Sequence, residues 1–114
     1  MESVELPESQ LGSFSVQTEK YSGPLELLLE LIEKRQLLIN DISLASVTDD
    51  YMRHVAVLEQ NPLREVTQFV ALASTLLLIK SKSLLPILDL TETEEENVEN
   101  LQMRLKHYQI YRNA

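Results

Sequence analysis

Apolar positions cluster most densely between Leu63 and Pro86, in LREVTQFVALASTLLLIKSKSLLP, where no Gly or Pro occurs until Pro86 forbids continuation. The segment predicts one helix over Leu63–Leu85, about 33 Å long at ~1.5 Å per residue. Turning ~100° per residue, Val66, Val70, Ala73, Leu77 and Leu84 form one stripe, flanked by Phe69. Leu72, Leu76 and Ile79 form a second, and Ala71, Leu78 and Leu85 a third. A helix apolar on every side has to be covered on every side.

The blocks before it are also helical in period. Met1–Gly12 is poor in apolar residues and reads as a flexible tail over 1–13. Phe14, Val16 and Thr18 alternate with Ser15 and Gln17, which predicts a short extended segment laid against the first helix. Pro24 then suits a first helical position, and Leu25, Leu28, Leu29 and Ile32 share a face that Leu27 and Leu31 widen. Leu37–Ile42 breaks the pattern as an elbow, with Asp41 or Ser43 as the expected cap. A second helix follows over Ser43–Leu58, carrying Leu44, Val47, Tyr51, Val55 and Leu58 at helical spacing and Asp49 placed to meet Arg53. The short break at Glu59–Pro62 makes the second and third helices an antiparallel hairpin.

After Pro86 comes an acidic linker over 87–93, and Thr93 with Glu96 has the spacing of a capping box. The fourth helix, over 94–114, places Val98, Leu101, Leu105 and Tyr108 on a narrow seam, and its lack of a closing Gly or Pro predicts that the natural chain continues. The expected fold is therefore all-α: a small bundle of about four helices, the third longest and central, the fourth free to project. Residues 14–86 would form the helical domain.

Composition narrows the function more than the fold. With 44% hydrophobic residues and two glycines in 114, a folded helical domain is favoured over disorder. Thr75, Lys80 and Lys82 interrupt the best membrane-span candidate, and the N-terminus lacks the basic start and apolar run of a signal peptide. The absence of cysteine excludes disulfides and thiolate metal sites, and a net charge of −8 argues against a phosphate-backbone ligand. His54 and His107 lie on different helices, Asp50 and His54 read as a solvated pair, and two glycines cannot form a phosphate-cradling loop. No catalytic, cofactor or metal site is expected. What the chain has in excess is apolar helix surface, covered either by its own helices or by a partner.

The residues Tyr21-Ser22-Gly23-Pro24-Leu25-Glu26-Leu27-Leu28-Leu29, Leu31-Ile32, the Asp41-Ile42 elbow, Ala73-Ser74-Thr75-Leu76-Leu77 and Ile79-Lys80-Ser81-Lys82-Ser83-Leu84-Leu85-Pro86 occur in an order that resembles the N-terminal domain of the bacterial kleisins, the segregation and condensation protein A family. Leu105, Tyr108 and Tyr111-Arg112 extend the likeness beyond the linker. The chain departs from the family pattern at Ser22, Glu26, Ser43, Lys82 and Ser83. The last two bear on contacts near the end of the third helix, because Arg offers a planar fork that Lys lacks and Ser removes apolar area.

The resemblance implies a non-enzymatic subunit of an SMC condensin complex, cytoplasmic and nucleoid-associated, that organises and segregates chromosomes. In the family the third helix packs on the coiled-coil neck of one SMC subunit and a following segment binds the ScpB dimer. Carried onto this chain, the neck-facing residues are expected at Phe69, Leu72, Leu76, Ile79, Lys80 and Ser83, and the ScpB-side segment at Leu101, Leu105, Tyr108 and Tyr111. On that expectation Leu76→Asp spares the isolated fold and abolishes binding, and the exposed stripe lets the isolated chain homodimerise. The alternative is a helical adaptor that docks another amphipathic helix and has no SMC partner.

Overall fold

Pro24 opens the first helix of the computed structural model, α1 (Pro24–Lys34), with Gly23 before it in extended conformation. The structure describes residues 23–113. The tail expected over 1–13 and the extended segment expected at Phe14–Thr18 lie outside the described residues. Three more helices follow: α2 (Asp41–Glu59), α3 (Thr67–Leu84) and α4 (Glu92–Asn113). No strand occurs among the described residues.

The shortest helix is the most deeply buried. Leu27, Leu28, Leu29 and Ile32 of α1 are inaccessible to solvent and Leu31 nearly so, because α2, α3 and α4 all pack against it. α2 and α3 form the most extensive pairing, and α4 returns along α1 and α3. A single apolar core results, running from Leu44, Val47, Tyr51, Val55 and Leu58 of α2 to Val98, Leu101 and Leu105 of α4.

Local chemistry moves several boundaries from where periodicity alone puts them. α3 begins at Thr67 instead of Leu63. Asn61 folds the preceding residues into a turn, its side-chain oxygen accepting from the Leu63 amide at 3.0 Å and its carbonyl from the Arg64 amide at 3.1 Å. The Glu65 carboxylate then accepts from the Thr67 amide and hydroxyl at 2.8 and 2.6 Å, satisfying the first amide of the helix where the N-cap residue, Val66, has no side-chain acceptor. At 18 residues α3 is shorter than α2 with 19 and α4 with 22, so it is not the longest helix. Asn40, instead of Asp41 or Ser43, caps α2 by accepting from the Ser43 amide at 2.8 Å. The capping box of α4 lies two residues earlier than expected. Thr91 Oγ1 accepts from the Glu94 amide at 3.1 Å and Glu94 Oε1 from the Thr91 amide at 2.8 Å.

α4 does not project. Glu33 of α1 accepts from Gln109 at 3.0 Å and pairs with Arg112, while Asp41 accepts from Gln102, so α4 is tied back at two levels. Arg53 pairs with Asp50, which also holds Arg35, and Asp49 is left to meet α3.

The α1–α2 elbow closes in a Schellman motif without glycine. Gln36 has φ 58°, its amide donates to Glu33 O at 2.9 Å, and the Leu37 amide donates to Ile32 O at 3.0 Å. A side chain in this left-handed region costs about 1–2 kcal/mol. Gln36→Gly is therefore expected to raise the unfolding free energy by about 1 kcal/mol net of the added freedom of the unfolded chain, read as a higher urea midpoint.

The α1–α4 tie adds a pH dependence. The Gln109 carboxamide, with Arg112 adding to it, outweighs burial and holds the Glu33 carboxyl below its ordinary value of 4.5. A lowered folded-state value contributes stability above pH 4.5 that is lost as pH falls through the folded value. Glu33→Gln should flatten the acid limb of stability against pH below about 4.5, and an unchanged limb would assign the acid sensitivity to other carboxylates.

Candidate partner-binding face

The rotation of α3 about its own axis is fixed by four contacts. Tyr51, fully buried on α2, donates its hydroxyl to Phe69 O at 2.7 Å. The buried Thr48 hydroxyl bonds Leu44 O at 2.8 Å and faces Leu76 O at 3.5 Å. Lys80 Nζ donates to Asp49 Oδ1 at 2.7 Å, and the Arg64 guanidinium lies 5.6 Å from the centre of the Phe69 ring. Burial pushes the Tyr51 phenol above its ordinary range, and the Lys80 hydrogen bond lowers that of the Asp49 carboxyl.

These contacts turn Phe69, Leu72, Ala73, Leu76 and Ile79 inward, where all five are buried. The stripe expected to be exposed on α3 is thus largely core. Leu76 is fully inaccessible, so a charge there would disrupt the fold itself. Lys80 gives its ammonium to Asp49 of α2. Of that set only Ser83 is exposed, beside a small cleft of about 160 Å³ shared with Asp41, Ile42, Lys82, Leu90 and Val98. On α4, Leu101 and Leu105 are buried in the same core and Tyr108 is half-buried, whereas Tyr111 is exposed.

The outward face of α3 is Thr67, Val70, Ser74, Leu77, Ser81 and Leu84, all exposed. Val70, Leu77 and Leu84 are 42%, 46% and 69% exposed, and Ala71, Leu78 and Leu85 flank them. The intervals alternate between three and four residues, the period of a coiled-coil seam, over about 27 Å of helix. The two charged residues of α3 both turn away from it. Lys80 goes to Asp49, and Lys82 donates to Pro86 O at 3.0 Å and to Leu88 O, clamping the start of the linker. An uncharged seam with large residues at every seventh position and small ones between can seat one further helix or a coiled coil at close range.

Other chemistry is sparse. Among the described residues no group of three or more His, Asp or Glu side chains is placed to hold a metal ion, and no helix is long and apolar enough to cross a membrane. Asp50, one half of the Asp50–His54 pairing, bridges Arg35 and Arg53, while His54 Nδ1 sits 2.9 Å from Asp50 O. The signal that separates the two stripes of α3 lies in the polar residues of α2, since Thr48, Asp49 and Tyr51 bond its inner side. Phe69, Leu72, Ala73, Leu76 and Ile79 make the broad arc of a globular core, and Val70, Leu77 and Leu84 the narrow line of a helix–helix seam.

The family described as "Segregation and condensation protein ScpA" matches residues 31–114. Curated relatives named Segregation and condensation protein A include that of Halothermothrix orenii, 37% identical over 99 residues covering 87% of this chain and 41% of the relative. That of Halalkalibacterium halodurans is 39% identical over 110 residues, covering 91% and 42%. That of Exiguobacterium sibiricum is 36% identical over 110 residues, covering 91% and 44%. The chain thus spans about two-fifths of the length of these relatives. No solved structure matches.

Since the Tyr51 hydroxyl helps orient α3, Tyr51→Phe is expected to cost about 1 kcal/mol of stability while leaving helical circular dichroism unchanged. An unaltered urea midpoint would show that packing alone sets the rotation of α3.

Proposed function

Because the chain belongs to the segregation and condensation protein A family, we propose that it is the N-terminal helical part of a non-enzymatic kleisin and that the outward face of α3 joins the coiled-coil neck of an SMC subunit. The observation that carries this reading is the uncharged heptad line of Thr67, Val70, Ser74, Leu77, Ser81 and Leu84, standing free on a helix whose other side is already core. A two-stranded coiled coil accepts an extra helix through such a line, with Val70, Leu77 and Leu84 as knobs and the two serines letting the backbones approach. The role first carried by resemblance to Phe69, Leu72, Leu76 and Ile79 passes to residues about a third of a turn around the same helix.

In the assembled complex this contact would anchor one end of a bridge between SMC subunits in chromosome condensation and segregation, with the ScpB dimer bound by chain that follows. Tyr111, exposed together with Met103 and Ile110 on α4, is the member of the ScpB-side set still available to a partner. With no SMC subunit bound, the same α3 line is open to a second copy of this chain.

Two neighbouring leucines separate interface from core. Leu77→Asp should leave circular dichroism and the urea midpoint near those of the unsubstituted chain and weaken binding to an SMC head-and-neck fragment at least tenfold. Leu76→Asp should unfold the chain, because a carboxylate has no partner at that position. Full binding by folded Leu77→Asp would refute the proposed face.

A further inference from the structure

The exposed line of Thr67, Val70, Ser74, Leu77, Ser81 and Leu84 alternates small and large side chains at steps of three, four, three, four and three residues. The steps read the same in both directions, but small and large change places. Reversal about a point between Thr75 and Leu76 therefore sets Val70 against Ser81, Leu77 against Ser74 and Leu84 against Thr67. A second copy of the line laid antiparallel puts one large and one small side chain in every layer of the contact. Laid parallel and in register, it stacks leucine on leucine and serine on serine, so crowded layers alternate with hollow ones. A surface that matches its own reverse is what a two-fold interface requires, because the same patch serves both copies.

Charge selects the same direction. Arg64, over the Phe69 ring, and Arg104, on the wall of a cleft shared with Gln68 and Ala71, lie by the start of α3. Asp89 in the linker and Glu92, Glu94 and Glu95 in the first turn of α4 lie by its end. An antiparallel copy brings the basic end of each chain to the acidic end of the other, whereas a parallel copy sets like charges together.

We propose that two copies of this chain pair antiparallel through the outward line of α3, about a two-fold axis level with the Thr75–Leu76 bond. The contact strip is about 27 Å long and one helix, about 10 Å, wide. That falls short of the about 800 Å² per partner of a stable complex, so the pair is weak and reversible. It covers the face that the proposed function gives to the SMC coiled coil. The inference rests on that reading's choice of the free side of α3, and a second copy and an SMC subunit exclude each other there.

The chain has no cysteine, so introduced thiols report the pairing without interference. In the antiparallel pair Val70 of one copy lies level with Ser81 of the other, while each of these residues is about 16 Å along the axis from its own counterpart. A disulfide needs Cα atoms within about 7 Å. Under mild oxidation, a mixture of Val70→Cys and Ser81→Cys chains should therefore form a mixed disulfide at least tenfold faster than either variant links to itself. Sedimentation equilibrium of the unsubstituted chain should show a concentration-dependent dimer, which Leu77→Asp weakens at least tenfold. Self-linked disulfides that form as fast as the mixed one, or a strict monomer at all concentrations, would each overturn the proposal. No SMC subunit enters these measurements, so their failure removes the pairing and leaves the SMC contact of α3 to its own binding test.

Discussion

Everything in this small bundle depends on covering α1. Eleven residues make a helix too short to persist alone in water, and this one carries Leu27, Leu28, Leu29, Leu31 and Ile32 around most of its circumference. Burying five such side chains is worth on the order of 10 kcal/mol as an upper figure, comparable to the whole stability of a domain this size. That gain requires neighbours on every side. α2 and α3 supply two of them as an antiparallel pair, and α4 has to fold back to supply the third, which is why Glu33 and Asp41 hold Arg112, Gln109 and Gln102 of α4.

The same constraint explains what α3 can offer a partner. Helices that turn their apolar faces to α1 leave surplus only on the side away from it. α3 has that surplus because it is apolar on all sides, so its inner arc completes the core while Val70, Leu77 and Leu84 remain outside. Both lysines of the helix are engaged elsewhere, one by α2 and one by the linker carbonyls, so no charge needs to be desolvated when the outer line is covered. Core and proposed interface share one helix, and the proposed face is held in place by the packing behind it.

Much of the fold is legible in the sequence for the same reason. Pro24, the elbow near Asp41, the leucine and tyrosine spacing of α2 and the stop at Pro86 each act locally, and the all-α class with four helices follows from them. Boundaries set by side-chain hydrogen bonds are less so. Thr91 and Thr93 are each followed three residues later by a glutamate, and the spacing alone does not distinguish them; the earlier pair forms the box. Leu63 continues the apolar run of α3 in sequence but stands 93% exposed, because Asn61 and Glu65 commit their polar groups to a turn and a cap.

The rotation of α3 is the feature that periodicity leaves undetermined, and the reason is physical. The spacing of apolar residues reveals which side of a helix is buried only where another side is polar, and a helix apolar all round offers almost no such contrast. What breaks the tie is the polar chemistry of the neighbour. The Tyr51 hydroxyl needs an acceptor within the core and finds Phe69 O, while Asp49 is placed to draw Lys80 towards α2. Together with the Thr48 hydroxyl facing Leu76 O and the Arg64 guanidinium over Phe69, those contacts turn Leu76 in and Leu77 out, so polar groups packed against α3 help decide which of its leucines a partner can meet.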